Sequence, residues 1–379
     1  MEEVVIIVGA GPSGLATSAC LNVLSIPNII LEREDCFASL WKKRSYDRLK
    51  LHLGKQFCQL PHMPYPPGTP TFIPKAGFLQ YLEDYVSHFQ INPRYHRFVE
   101  SASYDKVVGK WHIVAKNTLS DELEVYLGKF LVVATGENSE GLIPKIPGLD
   151  SFGGEFMHCS DYKNGKRFTN KEVLVVGCGN SGMEIAYDLW DHGAITSIVV
   201  RNPVHVVTKE MVLLGMLLLK YIPCKVVDYV TVSLSKLIYG DLSSYGLPRP
   251  SEGPFYLKDV TRSSPVIDVG TIGKIKEGEI QVVPTITKIE GDNVYFSNGK
   301  MNRFDAIIFA TGYKSTVLKW LKESEDLFNE DGMPKKSFPN HWNGENGLYC
   351  VGFASRGLFG IARDAEHIAN HIRGVMSRK

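Results

Sequence analysis

Val4-Val5-Ile6-Ile7-Val8-Gly9-Ala10-Gly11-Pro12-Ser13-Gly14 stands almost at the start of the chain, and its reading decides the fold. An apolar run entering Gly-x-Gly-x-x-Gly and then a helix is the opening of a dinucleotide-binding βαβ unit. Its glycines permit a tight turn, the approach of a pyrophosphate to the backbone, and close helix–strand packing. A second apolar run, Ile29-Ile30-Leu31, ends on Glu32. The pattern then recurs: Val173-Leu174-Val175-Val176 enters Gly177-Cys178-Gly179-Asn180-Ser181-Gly182, and Ile198-Val199-Val200 ends on Arg201. One such hexapeptide is weak evidence. Two of them, each with its strands, its helix and a diagnostic residue about twenty positions on, are strong.

The two terminal residues differ in charge, and charge sorts the ligands. A carboxylate at the tip of the second strand accepts hydrogen bonds from both hydroxyls of an unmodified ribose and repels a 2′-phosphate, whereas an arginine attracts one. Glu32 therefore suits the adenosine end of FAD or NAD, and Arg201 suits NADP. Two dinucleotides in one chain point to electron passage from a nicotinamide to a flavin. The expected cofactors are FAD, held by Gly9, Ala10, Gly11, Pro12, Ser13, Gly14 and Glu32, and NADPH, held by Gly177, Cys178, Gly179, Asn180, Ser181, Gly182 and Arg201.

Composition excludes several other classes. The 379 residues are enough for two domains, and 42 lysines and arginines against 41 acids leave a net charge of +1, too small a field to draw in nucleic acid. Seven scattered cysteines without a Cys-x-x-Cys pair fit a reducing compartment, and no metal site is expected. The apolar β-run begins too early for a secretory signal, so the expected location is cytoplasmic. The most apolar stretch, Met211 to Leu219, falls short of the roughly 20 residues that span a bilayer and reads as a buried or partly buried helix.

Further along, Pro61-His62-Met63-Pro64-Tyr65-Pro66-Pro67 excludes helix and central strand, and Gly77 to Phe89 has the apolar spacing of an amphipathic helix. Trp111 to Val114 and Glu124 to Tyr126 alternate as half-exposed strands. Phe130-Leu131-Val132-Val133 runs into Ala134-Thr135-Gly136, and Asp305 to Phe309 runs into Ala310-Thr311-Gly312, a weak internal repeat. The expected class is α/β with two three-layer, Rossmann-like domains, the NADP domain inserted in the FAD domain. Residues 1–163 begin the FAD domain, 164–317 form the NADP domain, and 318–379 close the first, with Gly347 to Gly352 as the closing strand.

Between the fingerprints, Phe152-x-Gly154-x-x-x-His158-x-x-x-Tyr162 resembles the identifying motif of class B flavin-containing monooxygenases. The chain further resembles the plant YUCCA family. The likeness runs through Leu40-Trp41, Arg44 and Tyr46 to His52, through Lys55 to Cys58 and Leu60-Pro61, through Ala134 to Asn138, and through the second glycine loop up to Glu184. It continues at Tyr245 to Leu247, Arg249-Pro250 and Pro265 to Thr271, and so covers nearly the whole chain. The resemblance implies indole-3-pyruvate monooxygenase activity: NADPH and O2 are consumed, and indole-3-pyruvate loses CO2 to become indole-3-acetate, the hormone auxin. The oxidant it implies is a C4a-(hydro)peroxyflavin, which the protein must keep from water.

Several residues admit two readings from sequence. His158 is either an acid–base group or a junction residue held by hydrogen bonds. Trp41 either lies against the flavin or belongs to the core. Many flavin monooxygenases have an asparagine where this chain has His52, which therefore either borders the flavin and manages a peroxide proton or is a packed loop histidine. Among rival functions, a disulfide reductase lacks its cysteine pair, and a Baeyer–Villiger enzyme has tryptophan where this motif has Tyr162. A related monooxygenase acting on phenylpyruvate or another carbonyl, and a non-catalytic FAD/NADP-binding regulatory protein, stay open. The sequence does not fix the oligomeric state.

Overall fold

The structure, a computed structural model, describes residues 1–378. Its α-helices, in chain order, are α1 (Pro12–Val23), α2 (Ser39–Lys43), α3 (Lys75–His88), α4 (Asn180–Asp191), α5 (Lys209–Leu218), α6 (Cys224–Tyr239), α7 (Pro254–Thr261), α8 (Thr271–Lys276) and α9 (Gly357–Met376). The chain divides into two compact units. One contains Met1–Arg44, Gly54–Glu140 and Tyr313–Lys379; the other contains Ser45–Leu53 and Gly141–Gly312.

In the first unit, strand Glu2–Val8 pairs in parallel with Asn28–Leu31 on one side and with Leu123–Val133 on the other, the βαβ geometry that the first fingerprint demands. The sequence reads 123–133 as two strands, and the fold makes it one. Its first part alternates in burial and pairs antiparallel with Lys110–Asn117, which continues to Arg97–Asp105. From Phe130 onward burial is continuous, and Leu131–Val133 pairs in parallel with the closing strand Leu348–Cys350. A change of partners, from a half-exposed meander to a sheet covered on both faces, changes the periodicity without breaking the strand. α1 packs on α9, whose Leu358, Ala365, Ile368 and Ile372 are buried. The proline-rich 61–67 stretch forms neither helix nor extended strand.

The second unit is built on a fully parallel five-stranded sheet in the order Ile280–Val283, Ile195–Val199, Glu172–Val176, Ala306–Phe309, Glu155–His158. Val173–Val176 and Ala306–Phe309 at its centre are apolar and buried throughout because both faces are covered. Strand 155–158, which precedes the boundary drawn at 163 from sequence, is the edge strand of this sheet. A separate meander of Ile286–Glu290, Asn293–Phe296 and Met301–Arg303 seals one end, with Ile289, Val294, Phe296 and Phe304 in a common cluster with Leu174, Ile307 and Phe309. No described helix is long and apolar enough to cross a membrane. Of the apolar 211–219 stretch, α5 buries Met211, Val212 and Gly215 and exposes Leu214 and Leu217.

Candidate functional site

The two glycine loops repeat one another atom for atom in what they forbid. Gly9 and Gly177 have φ of +107° and +112°, a region that side chains rarely enter. A Cβ on either would lie 2.7 Å from the carbonyl oxygen of Ala134 or 2.5 Å from that of Ala310. The twin Ala-Thr-Gly strand ends are thereby explained: each sets its alanine backbone against the first glycine of its own loop. The third glycines are tighter still. A Cβ on Gly14 or Gly182 would come 1.9 Å from the carbonyl oxygen of Gly9 or Gly177, so helix and strand touch through backbone alone.

The middle glycines behave differently, and the difference marks the ligand. A Cβ on Gly11 or Gly179 would meet nothing within 4 Å, and both residues have extended backbone, φ −70° and −75°, that any amino acid adopts. Nothing inside the protein requires glycine at either place. Each is the N-cap residue of its helix, α1 or α4, and neither helix has a side chain capping its first amides. Free helix-terminal N–H groups beside an open cradle are what a pyrophosphate takes. The residues present therefore fit dinucleotides at both loops. Thr135 adds a further signal in the first unit, since its Oγ1 is buried and has no hydrogen-bond partner among the described residues.

Each terminal residue is brought to its own loop. Glu32 is buried, and its carboxylate accepts from the backbone N–H of Ala10 at 2.6 Å and of Glu34 at 3.0 Å. Burial pushes its carboxyl above the usual range, although those two amides pull the other way. Arg201 is exposed and forms no ion pair among the described residues. Burial raises the Cys178 thiol, and the backbone and charge of Arg201 are close enough to oppose that rise, which puts the arginine beside the second glycine loop. Asn180 has its side chain committed elsewhere: Nδ2 donates to Pro265 O at 3.2 Å and Oδ1 accepts from the Ile267 N–H at 2.7 Å. Only its backbone is left for a ligand. In the first unit, the ring of Trp41 on α2 packs edge-on against Phe78, centroids 4.7 Å apart, and is half-buried.

His158 is buried, with Nε2 2.9 Å from Gly312 O and Nδ1 3.0 Å from Ser160 Oγ. Burial lowers its pKa. An imidazole held at both nitrogens ties the motif to the Ala-Thr-Gly turn, which is the junction role. The motif's tyrosine does the same on α4, where Tyr162 Oη donates to Asp188 Oδ2 at 2.5 Å.

Sequence reasoning gave no role to the carboxylate that organises the second unit. Glu184 on α4, one turn past the glycine loop, is buried, accepts from Tyr46 Oη at 2.9 Å and lies 2.6 Å from His52 Nε2. Asp188, four residues on and so on the same helix face, takes Tyr162, the Gly165 N–H at 2.9 Å and the Arg48 guanidinium at 3.7 Å. Segment 45–53 is thus strapped to α4 by two carboxylates. The available signal was their spacing of four among the buried apolar positions of the helix. Glu184→Leu would leave two polar groups facing an apolar side chain, at a cost of about 2–4 kcal/mol. The denaturation midpoint is expected to fall accordingly, and to fall less in His52→Ala because that ring is 30% exposed. Equal midpoints for Glu184→Leu and the parent would contradict the strap.

A family model described as flavin-binding monooxygenase-like matches residues 2–363. The chain is 57% identical over 378 residues to the probable indole-3-pyruvate monooxygenase YUCCA10 of Arabidopsis thaliana, covering all of this chain and 99% of the relative. It is 48% identical to the indole-3-pyruvate monooxygenase YUCCA6 of the same plant, over 97% of this chain and 89% of that one. Among solved structures, an oxidised steroid monooxygenase bound to NADP shares the fold, with a TM-score of 0.78 at 16% identity over all of this chain and 86% of that one. The chain belongs to the flavin-binding monooxygenase-like family and, within it, to the plant YUCCA family, and with them it is an enzyme.

Proposed function

We propose that this protein is an FAD- and NADPH-dependent monooxygenase that converts indole-3-pyruvate, O2, NADPH and a proton to indole-3-acetate, CO2, NADP+ and water. The observation that carries the reading is the pair of nucleotide cradles that end on Glu32 and on Arg201. The first would take FAD: the N-terminal amides of α1 at Gly11 and Ser13 would hold the pyrophosphate, and the Glu32 carboxylate would accept hydrogen bonds from the adenosine ribose hydroxyls. The second would take NADPH: Gly179 and the first amides of α4 would hold the pyrophosphate, and the Arg201 guanidinium would meet the 2′-phosphate. The flavin, when bound, relays electrons from the nicotinamide to dioxygen. The protein's part is to bind, orient and keep water out.

His52 is held through Nε2 by Glu184, which sets the ring's direction. The location that suits this chemistry is the cytoplasm, where thiols stay reduced; among the described residues no cysteine is in a disulfide. Under 18O2, the indole-3-acetate formed is expected to carry one labelled oxygen. Unlabelled product would exclude the monooxygenase reading. Phenylpyruvate supplied in place of indole-3-pyruvate tests the breadth of the keto-acid site in the same assay.

Glu32 supplies a prediction with a definite sign. The folded apoprotein holds this proton more tightly than the unfolded chain, so stability without ligand is lost as pH rises from the ordinary value of 4.5 through the raised folded pKa. Ribose hydroxyls favour the charged form, so FAD binding expels the proton. Flavin affinity of the apoprotein is therefore expected to strengthen over that same rise. Fluorescence titration of apoprotein with FAD at a series of pH values checks it, and an affinity that weakened with rising pH would contradict the assignment.

A further inference from the structure

Helices α5 and α6 carry an apolar surface that the nucleotide cradles do not use. α6 buries the row Val227, Thr231, Ser235 and Tyr239, which holds it to its unit. A second row on the same helix faces solvent: Val226, Val230 and Leu237, completed by Ser233 at the i, i+4, i+7, i+11 spacing, with Tyr229 alongside. Leu237 is 82% exposed, Tyr229 76%, and Tyr221 in the corner before α6 is 87% exposed. α5, which packs against α6, adds Leu214 and Leu217. Surface apolar side chains are ordinarily scattered singly, and a run this dense marks an interaction surface.

The charges around it say what kind. From 209 to 239, Lys209, Lys220, Lys225 and Lys236 are exposed, and Glu210 is the one exposed acid. The remaining acid, Asp228, is buried and spent on the backbone N–H groups of Phe255 and Tyr256, at 2.8 and 3.1 Å. On the helical wheel Lys225 and Lys236 flank the row at its Tyr229 edge. In a protein–protein interface lysine is depleted, and a two-fold contact between copies would set these lysines against one another. Lysine and tyrosine bordering leucine and valine is instead the composition of a helix lying in a bilayer interface, the amines reaching to phosphates while the apolar row enters the acyl boundary.

We propose that α5 and α6 dock this protein reversibly on an anionic lipid surface, lying in the plane of the interface without crossing it. Purified full-length holoprotein mixed with sonicated vesicles of phosphatidylcholine containing phosphatidylserine is expected to co-sediment at least tenfold more than with phosphatidylcholine alone, since each lysine near the surface adds to the attraction. Leu217→Gln with Leu237→Gln is expected to lower that binding roughly tenfold while leaving NADPH oxidation unchanged. Tyr221→Trp supplies an independent readout, a blue shift of its emission when anionic vesicles are added. Absence of co-sedimentation with either lipid, binding untouched by the double substitution, or a lipid-free dimer that the double substitution dissociates would each overturn the proposal.

Discussion

Gly11→Ala is expected to fold as the parent does and to lose its flavin. A Cβ there meets no protein atom within 4 Å, and φ −70° with ψ 178° is ordinary extended backbone, so the apoprotein midpoint should hold or rise slightly. The methyl group instead occupies the side from which a pyrophosphate must reach the helix amides. Loss of even two of those charge-assisted hydrogen bonds, at about 1.5–3 kcal/mol each, weakens FAD by a hundredfold or more. Gly14→Ala is the control with the opposite cause. Its Cβ would lie 1.9 Å from Gly9 O, so α1 must leave the strand, and a loss of about 3 kcal/mol or more of stability should accompany the loss of flavin. Denaturation of both apoproteins, with FAD titration, separates the two. A Gly11→Ala protein that keeps parental FAD affinity would remove the first cradle as the flavin site.

The second large effect is a change of coenzyme. In Arg201→Glu, the guanidinium proposed to meet the 2′-phosphate becomes a carboxylate that would repel it. Loss of a charge-assisted pair costs about 1.5–3 kcal/mol, and like-charge repulsion adds to it, so kcat/KM for NADPH should fall about a hundredfold or more. NADH has no 2′-phosphate, and its kcat/KM should change little. Because Arg201 is exposed and forms no ion pair among the described residues, folding should be indifferent to the change. Steady-state kinetics with both coenzymes give the ratio. A preference unmoved by the substitution would assign the 2′-phosphate to another residue.

The parts of this molecule written in backbone constraints were legible from sequence, and the parts written in tertiary hydrogen bonds were not. Glycine fingerprints work because Gly9 and Gly14 admit no Cβ, each being closed off by a backbone carbonyl oxygen that any sequence supplies. The Ala-Thr-Gly repeat was visible as letters, but its reason, an alanine carbonyl pressed on the first glycine, needs coordinates. Strand 123–133 read as two because its periodicity changes where its partner changes. The strap of segment 45–53 was least legible, since Tyr46 and His52 meet Glu184 across 138 and 132 residues. No local pattern announces a loop whose anchors lie that far along the chain. Asn180 shows the converse, a residue in the right motif whose side chain serves the strand at 266–267.

The central claim is that electrons taken from NADPH at the second cradle end in indole-3-acetate rather than in peroxide. The direct measurement is the stoichiometry of purified FAD-loaded protein supplied with NADPH, O2 and indole-3-pyruvate: NADPH consumed, indole-3-acetate formed and hydrogen peroxide released, in one vessel. Indole-3-acetate matching NADPH nearly mole for mole, with little peroxide, is the predicted result. NADPH oxidation that yields peroxide and no indole-3-acetate, or no oxidation with a full complement of FAD, would contradict it.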